Sequence, residues 1–158
     1  MKSRRPTRLN THNYSNPGSY FITTNVLYNK CCFGYVHGGE MILNKYGKIA
    51  SEQMNWLTNY YSFVNVNKYV IMPNHVHAII EITPLNNNIA HLNLSQIVCA
   101  YKTRVSAAIR KEGLVSFSWQ RSFYDHIIRN SNSFENIAAY IENNPLNWKK
   151  DRFHVINT

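Results

Sequence analysis

The 158-residue sequence is short of acid. Eight Asp and Glu face seventeen Lys and Arg, for a formal charge of +9 and a pI near 9.6. No carboxylate cluster of the kind most two-metal nucleases use is present. Cysteine is scarce as well. The three thiols, two of them adjacent (Cys31 and Cys32), offer neither a disulfide framework nor zinc-ligand spacing, and they fit a reducing compartment. Long apolar runs are missing. Stretches such as Tyr69-Val70-Ile71-Met72 and Ala78-Ile79-Ile80 are far too short to span a membrane. The start, Met1-Lys2-Ser3-Arg4-Arg5, lacks the apolar segment of a secretory signal, so a cytoplasmic, nucleoid-associated location is expected.

What is present is aromatic and basic. Seven Phe, eleven Tyr and three Trp, within 44% hydrophobic residues, are enough to bury a real core. Positive surplus on a small domain points to a polyanion, usually nucleic acid. The plainer alternative is a solubility surplus. A membrane-surface role is weaker, because no segment joins a basic face to a long lipid-facing stripe.

Residues 1–18 are basic, then rich in Asn, Ser, Pro and Gly, and predict a flexible arm. Residues 19–158 show no repeat and no linker, and predict one domain. Ser19 to Tyr28 is β-branched and aromatic, hence a strand. Cys32 to Leu43 holds Gly38-Gly39 between short apolar pieces and predicts a hairpin. Tyr46 to Tyr60 has helical spacing, with Gly47 a poor residue for its first turn. Val64 to Met72 and His75 to Thr83 predict two strands around a Pro73-Asn74 turn.

After a polar, Asn-rich loop, Ser95 is the expected N-cap of a helix carried by Leu94, Ile97, Val98, Tyr101, Val105 and Ile109, which Gly113 ends. Ser122 to Ile128 predicts a last strand. Asn132 with Glu135 is the expected capping pair of a final helix through Phe134, Ile137 and Ile141, which Pro145 stops. Strand, helix, strand, strand, helix, strand, helix predicts an α+β fold: a ferredoxin-like antiparallel sheet with helices packed against it.

The sharpest local feature is Asn74-His75-Val76-His77. Residues two apart on a strand point to one side, so the two imidazoles face one place. Such a pair can grip one divalent cation. A pair of hydrogen-bonded surface rings has the same spacing. Two ligands leave coordination positions open, and no acidic helix offers an obvious third. In the last helix Tyr140 and Asn144 are four apart and share a face. A phenol and a carboxamide there suit a nucleophile and a ligand, although a helical Tyr is usually a packing residue.

Four segments occur in order: Tyr69-Val70-Ile71-Met72-Pro73-Asn74-His75-Val76-His77; Leu94-Ser95-Gln96-Ile97-Val98 with Tyr101-Lys102; Trp119-Gln120-Arg121-Ser122-Phe123-Tyr124-Asp125-His126-Ile127-Ile128-Arg129; and Tyr140-Ile141-Glu142-Asn143-Asn144-Pro145. Together they resemble the single-tyrosine HUH transposases of the IS200-like kind, most closely the REP-associated tyrosine transposases. The resemblance runs from about residue 18 to 148.

This resemblance implies a ferredoxin-like sheet with both His on a central strand and a nucleophilic tyrosine on a late helix. By motif match Tyr140 is that nucleophile, and His75, His77 and Asn144 are ligands of Mg²⁺ or Mn²⁺. Insertion-sequence relatives often carry Gln at the last place; Asn before Pro is the REP-associated form. Pro145 disfavours standard helix at Asn144, which is therefore expected in a frayed last turn. The implied chemistry is cleavage and rejoining of single-stranded, hairpin-forming DNA through a 5′-phosphotyrosine link. A free phenol has a pKa of about 10, so it needs help at neutral pH, and no base is evident. Relatives act as homodimers with shared sites or as monomers.

Tyr124 is the competing nucleophile, on the side of its strand shared with His126. For holding DNA the candidates are Lys102, Arg104, Arg110, Lys111 and Arg121, then Lys2, Arg4, Arg5 and Arg8 of the arm. Trp119 suits either base stacking or the core. Two rivals remain: a nucleic-acid-binding domain that keeps the fold without catalysis, and a small metal-dependent hydrolase that makes no protein–DNA adduct.

Overall fold

The structure, a computed structural model, describes residues 17–85 and 92–155. The expected arm lies almost wholly outside the described residues. The strands are β1 (Gly18–Asn25), β2 (Gly34–His37), β3 (Glu40–Leu43), β4 (Val64–Ile71), β5 (His75–Ile82) and β6 (Tyr124–Ile128). The helices are α1 (Lys45–Tyr60), α2 (Leu94–Lys111) and α3 (Ser131–Glu142). Short 3-10 turns cover Leu27–Asn29 and Trp148–Lys150.

Four strands form one antiparallel sheet in the order β4-β5-β1-β6. With α1 between β1 and β4, and α2 between β5 and β6, this is the expected ferredoxin-like plan. A separate β2–β3 hairpin is inserted after β1. Its turn is Gly38-Gly39, at φ of 59° and 80°, values that glycine reaches without a steric penalty.

The two sheet faces differ in what covers them. Tyr20 and Ile22 of β1 lie beside Ile80 and Ala78 of β5. These four, with Val76 and Ile82, are buried against Ala50, Met54 and Leu57 of α1 and Ile97, Val98, Tyr101, Val105 and Ile109 of α2. Each large apolar side chain buried there contributes about 1.5–3 kcal/mol. Gly47 sits inside α1 for a reason the propensity scale misses. A Cβ there would collide with the Phe33 carbonyl, so only glycine lets the hairpin approach the helix.

Three local expectations are corrected. The N-cap of α2 is Asn93, not Ser95: its Oδ1 accepts from Gln96 N–H at 3.0 Å, and Gln96 Oε1 accepts from Asn93 N–H at 2.9 Å. This reciprocal Asn-x-x-Gln box outcompetes a lone hydroxyl two residues later. α3 likewise begins at the Asn130 cap, which accepts from Ser133 N–H at 2.8 Å, rather than at Asn132 with Glu135. The first strand stops at Asn25, because the chain turns through Tyr28 and Asn29 at φ of 58° and 52°. Among the described residues no helix is long and apolar enough to cross a membrane.

Candidate active site

The face opposite α1 and α2 carries the chemistry. His75 and His77 open β5, a central strand, directly after the Pro73-Asn74 turn. Alternation puts Val76 and Ala78 into the core and both imidazoles on the other side. There His75 Nε2 and His77 Nε2 stand 3.1 Å apart, and both residues are buried.

The far nitrogen of each ring is fixed. Asn74 Nδ2 donates to the carbonyls of Asn29 (3.0 Å) and Phe153 (2.7 Å), which turns its Oδ1 toward His75 Nδ1 at 2.8 Å. An amide oxygen only accepts, so His75 Nδ1 carries the proton and the neutral ring keeps a lone pair on Nε2. His77 Nδ1 bonds Thr23 Oγ1 at 2.7 Å, across the β1–β5 pair. Both rings stay neutral at physiological pH. Burial, then the Arg152 charge, brings His75 down to about 3 against a smaller upward pull from Asn144. Burial, then His75 and Arg152, holds His77 well below its usual range.

α3 crosses this face. Lys68 of β4 meets Glu142 at 3.1 Å and pins the helix end. Phe21 stacks on His77 (5.3 Å between centroids) and meets Tyr140 edge-on (6.1 Å). Tyr140 is 49% exposed, and its hydroxyl lies 3.5 Å from His77 Nε2. Asn144 follows the last helical turn, its N–H bonded to Ile141 O, and is buried with Oδ1 lacking any hydrogen-bond partner.

The structure thus brings His75, His77, Tyr140 and Asn144 together. Tyr124 shares the face through its pairing with Thr23, but it is half exposed and stands beneath the Arg152 guanidinium at 5.3 Å. Three groups were not legible in the sequence: Asn74 as the tautomer-setting amide, Arg152, and Asp151. Asp151 Oδ2 is 3.8 Å from His75 Nε2, and the donor atoms of His75, His77 and Asp151 all lie within 4.8 Å of one another. Asp151 and Arg152 carry no spacing signal, since a turn far along the chain delivers them.

The five proposed DNA contacts sit elsewhere. Lys102, Arg104, Arg110 and Lys111 belong to α2, behind the sheet. Lys102 Nζ donates to the carbonyls of Gln120 (2.7 Å) and Ser122 (2.8 Å), and burial brings it down to about 8. Arg110 donates twice to Phe117 O. Arg104 lies over Trp56 at 3.9 Å and donates to Gln53. Lys111 and Arg121 are exposed. Trp119 packs against Phe33 and Phe117 and donates to Lys102 O, which ties it to the core edge.

Residues 41–144 match the profile of a family described as IS200-like transposases. An uncharacterised protein of Haemophilus influenzae is 34% identical over 168 residues, covering 96% of this chain and 93% of that protein. A REP-associated tyrosine transposase solved bound to a REP hairpin has the same fold, with a TM-score of 0.61 at 20% identity over 88% of this chain and 73% of that one. A Deinococcus radiodurans protein described as a candidate transposase aligns with a TM-score of 0.54 at 13% identity, over 86% and 97%.

Proposed function

The chain belongs to the IS200-like transposase family, and on that premise we propose that it cuts and rejoins single-stranded DNA at hairpin-forming sequences. Tyr140 is the nucleophile, and His75, His77 and Asn144 hold a divalent cation, Mg²⁺ or Mn²⁺. The observation that carries this is one contact chain: Tyr140 Oη is 3.5 Å from His77 Nε2, which is 3.1 Å from His75 Nε2, with the orphaned Asn144 Oδ1 buried beside them.

The residues fit a cation on chemical grounds. Beside the two Nε2 atoms, 3.1 Å apart, Asn144 Oδ1 is buried without a hydrogen-bond partner, an arrangement that costs free energy unless something positive satisfies that oxygen. When bound, the cation would offset charge on the scissile phosphate and orient it. Tyr140 attacks phosphorus with its hydroxyl oxygen and gives up its proton. The bond to the 3′ oxygen breaks, and that oxygen takes up a proton to leave a free 3′-hydroxyl. The new phosphotyrosine ester keeps the bond energy needed for rejoining. Phe21 supports in-line attack by holding the Tyr140 ring edge-on against the His pair.

Both halves of the site come from one chain, which supports a monomer able to act alone. A hairpin-bearing strand as partner is favoured by the +9 charge and by the REP hairpin held by the structural relative. Lys111 and Arg121 are the freest of the five α2-side candidates. A protein acting on such DNA works in the cytoplasm, on the nucleoid.

The test is a covalent-adduct assay on hairpin-bearing oligonucleotides labelled at the 3′ end, with Mg²⁺ or Mn²⁺. A labelled band that migrates with the protein, and vanishes with chelator, is expected. Binding without any adduct leaves a non-catalytic DNA-binding domain; cleavage without an adduct points to an activated water.

A further inference from the structure

We propose that Asp151 is a fourth protein ligand of the same cation, and its one carboxylate ligand among the described residues. The inference rests on the assignment of His75, His77 and Asn144 as a cation site, and extends it to the segment after α3.

Asp151 follows the Trp148–Lys150 turn, and its side chain is 5% exposed. One carboxylate oxygen is committed: Oδ1 accepts from Phe153 N–H at 2.7 Å. The other, Oδ2, is left facing His75 Nε2 at 3.8 Å. Because Asn74 places the His75 proton on Nδ1, Nε2 presents a lone pair to that oxygen, and two acceptors confront each other with no proton between them. Asn144 Oδ1, buried and unpartnered, lies against the same ring. A cation resolves all three at once. Neighbouring ligands of an octahedral Mg²⁺ stand ~3 Å apart at ~2.1 Å bond lengths, which matches the 3.1 Å between the imidazole nitrogens.

The carboxylate is positioned by the same residue that sets the imidazole. Asn74 Oδ1 holds His75 Nδ1, Asn74 Nδ2 holds Phe153 O, and Phe153 N–H holds Asp151 Oδ1. The Phe153 ring also lies on His75, 4.8 Å between centroids, so the segment is seated on the ligand ring itself. Two imidazoles alone would favour softer transition metals. One added carboxylate shifts preference toward Mg²⁺ and Mn²⁺, and its charge is answered by the cation.

The experiment is a Mn²⁺ titration of the full chain without DNA, following loss of the free-ion electron paramagnetic resonance signal. Asp151→Asn keeps an acceptor for Phe153 N–H but loses the charge, and should bind Mn²⁺ at least ~10-fold more weakly than wild type. Its melting temperature in chelator should be unchanged or higher, because the confrontation with His75 Nε2 is relieved; a merely structural Asp151 would lower it. Asp151→Cys should exchange the preference, gaining Cd²⁺ affinity and a thiolate-to-cadmium absorption band absent from wild type. If Asp151→Asn binds Mn²⁺ like wild type while His75→Ala does not, the fourth ligand is wrong and the three-ligand site stands. If His75→Ala also binds like wild type, or wild type takes up no Mn²⁺, the cation site itself falls and Asp151 with it.

Discussion

Asn74 Oδ1 accepts a hydrogen bond from the Nδ1 of its own neighbour, His75, at 2.8 Å, and that one contact decides which imidazole nitrogen is free. An asparagine before the first histidine is therefore part of the site, although it touches no cation. Its amide is oriented by two further bonds, to Asn29 O and Phe153 O, so the tautomer is enforced by three groups at once.

Removing that amide should cost both stability and affinity. Asn74→Ala strands a buried N–H and two carbonyls, which should lower the unfolding free energy by about 3 kcal/mol. Mn²⁺ affinity should fall ~10–100-fold, as for other lost outer partners of metal-bound histidine. Denaturant melts and a Mn²⁺ titration measure the two effects, and ¹⁵N shifts of the His75 ring report the tautomer directly. Wild-type affinity with an unchanged tautomer would remove Asn74 from the site.

Cleavage and binding should separate at the histidines. His75→Ala or His77→Ala should abolish cleavage, because both are needed for the chemical step. Affinity for hairpin DNA should stay within about threefold, since phosphate contacts by Lys and Arg dominate it and should weaken it steeply as salt rises. Gel-shift and nicking assays on the same samples test this. A flat salt response would argue against a basic DNA track, and near wild-type nicking by either variant would sink the two-histidine site.

Stability without metal should fall as the medium becomes acidic. His75 has its pKa lowered to about 3 from an ordinary 6.5, so below pH 6.5 the unfolded chain binds a proton that the native chain refuses. The native state is thus fully favoured above 6.5 and loses ground as pH falls toward 3, by about 1.4 kcal/mol per pH unit for this one group. His77 acts in the same direction. Urea melts in chelator at pH 7, 6 and 5 should show a shallower decline for His75→Gln than for wild type. Parallel declines would mean that His75 is not held neutral.

The strands of the sheet and the helical core are legible because each rests on a local period: alternation on β5, a 3.6-residue repeat on α2. The caps were less so. A polar residue near a helix start is common, and only the hydrogen bond tells that Asn93 and Asn130 cap, rather than Ser95 and Asn132. His75, His77, Tyr140 and Asn144 carried spacing and motif signals. Asp151 and Arg152 carry none, since they reach the site from a turn far along the chain from His75. The basic residues of α2 are visible in the sequence as charge, but the hydrogen bonds that Lys102 and Arg110 donate to the carbonyls of residues 117–122 are not.

The nucleophile itself is the last expectation. Tyr140→Phe deletes one hydroxyl and keeps the ring that Phe21 and His77 contact, so the melting temperature should barely move. Both cleavage and the covalent adduct should disappear, because among the described residues no other hydroxyl of a tyrosine is placed within 3.5 Å of the His pair. Tyr124→Phe should retain the adduct, at a rate reduced only through its neighbour Arg152. Asn144→Ala should fall between the two, with activity partly restored by raised Mn²⁺ as a lost ligand is offset by mass action. Peptide mass mapping of the trapped adduct locates the modified side chain. Phosphonucleotide on Tyr124, or an adduct that survives Tyr140→Phe, would move the attacking group from the helix α3 to the edge strand β6.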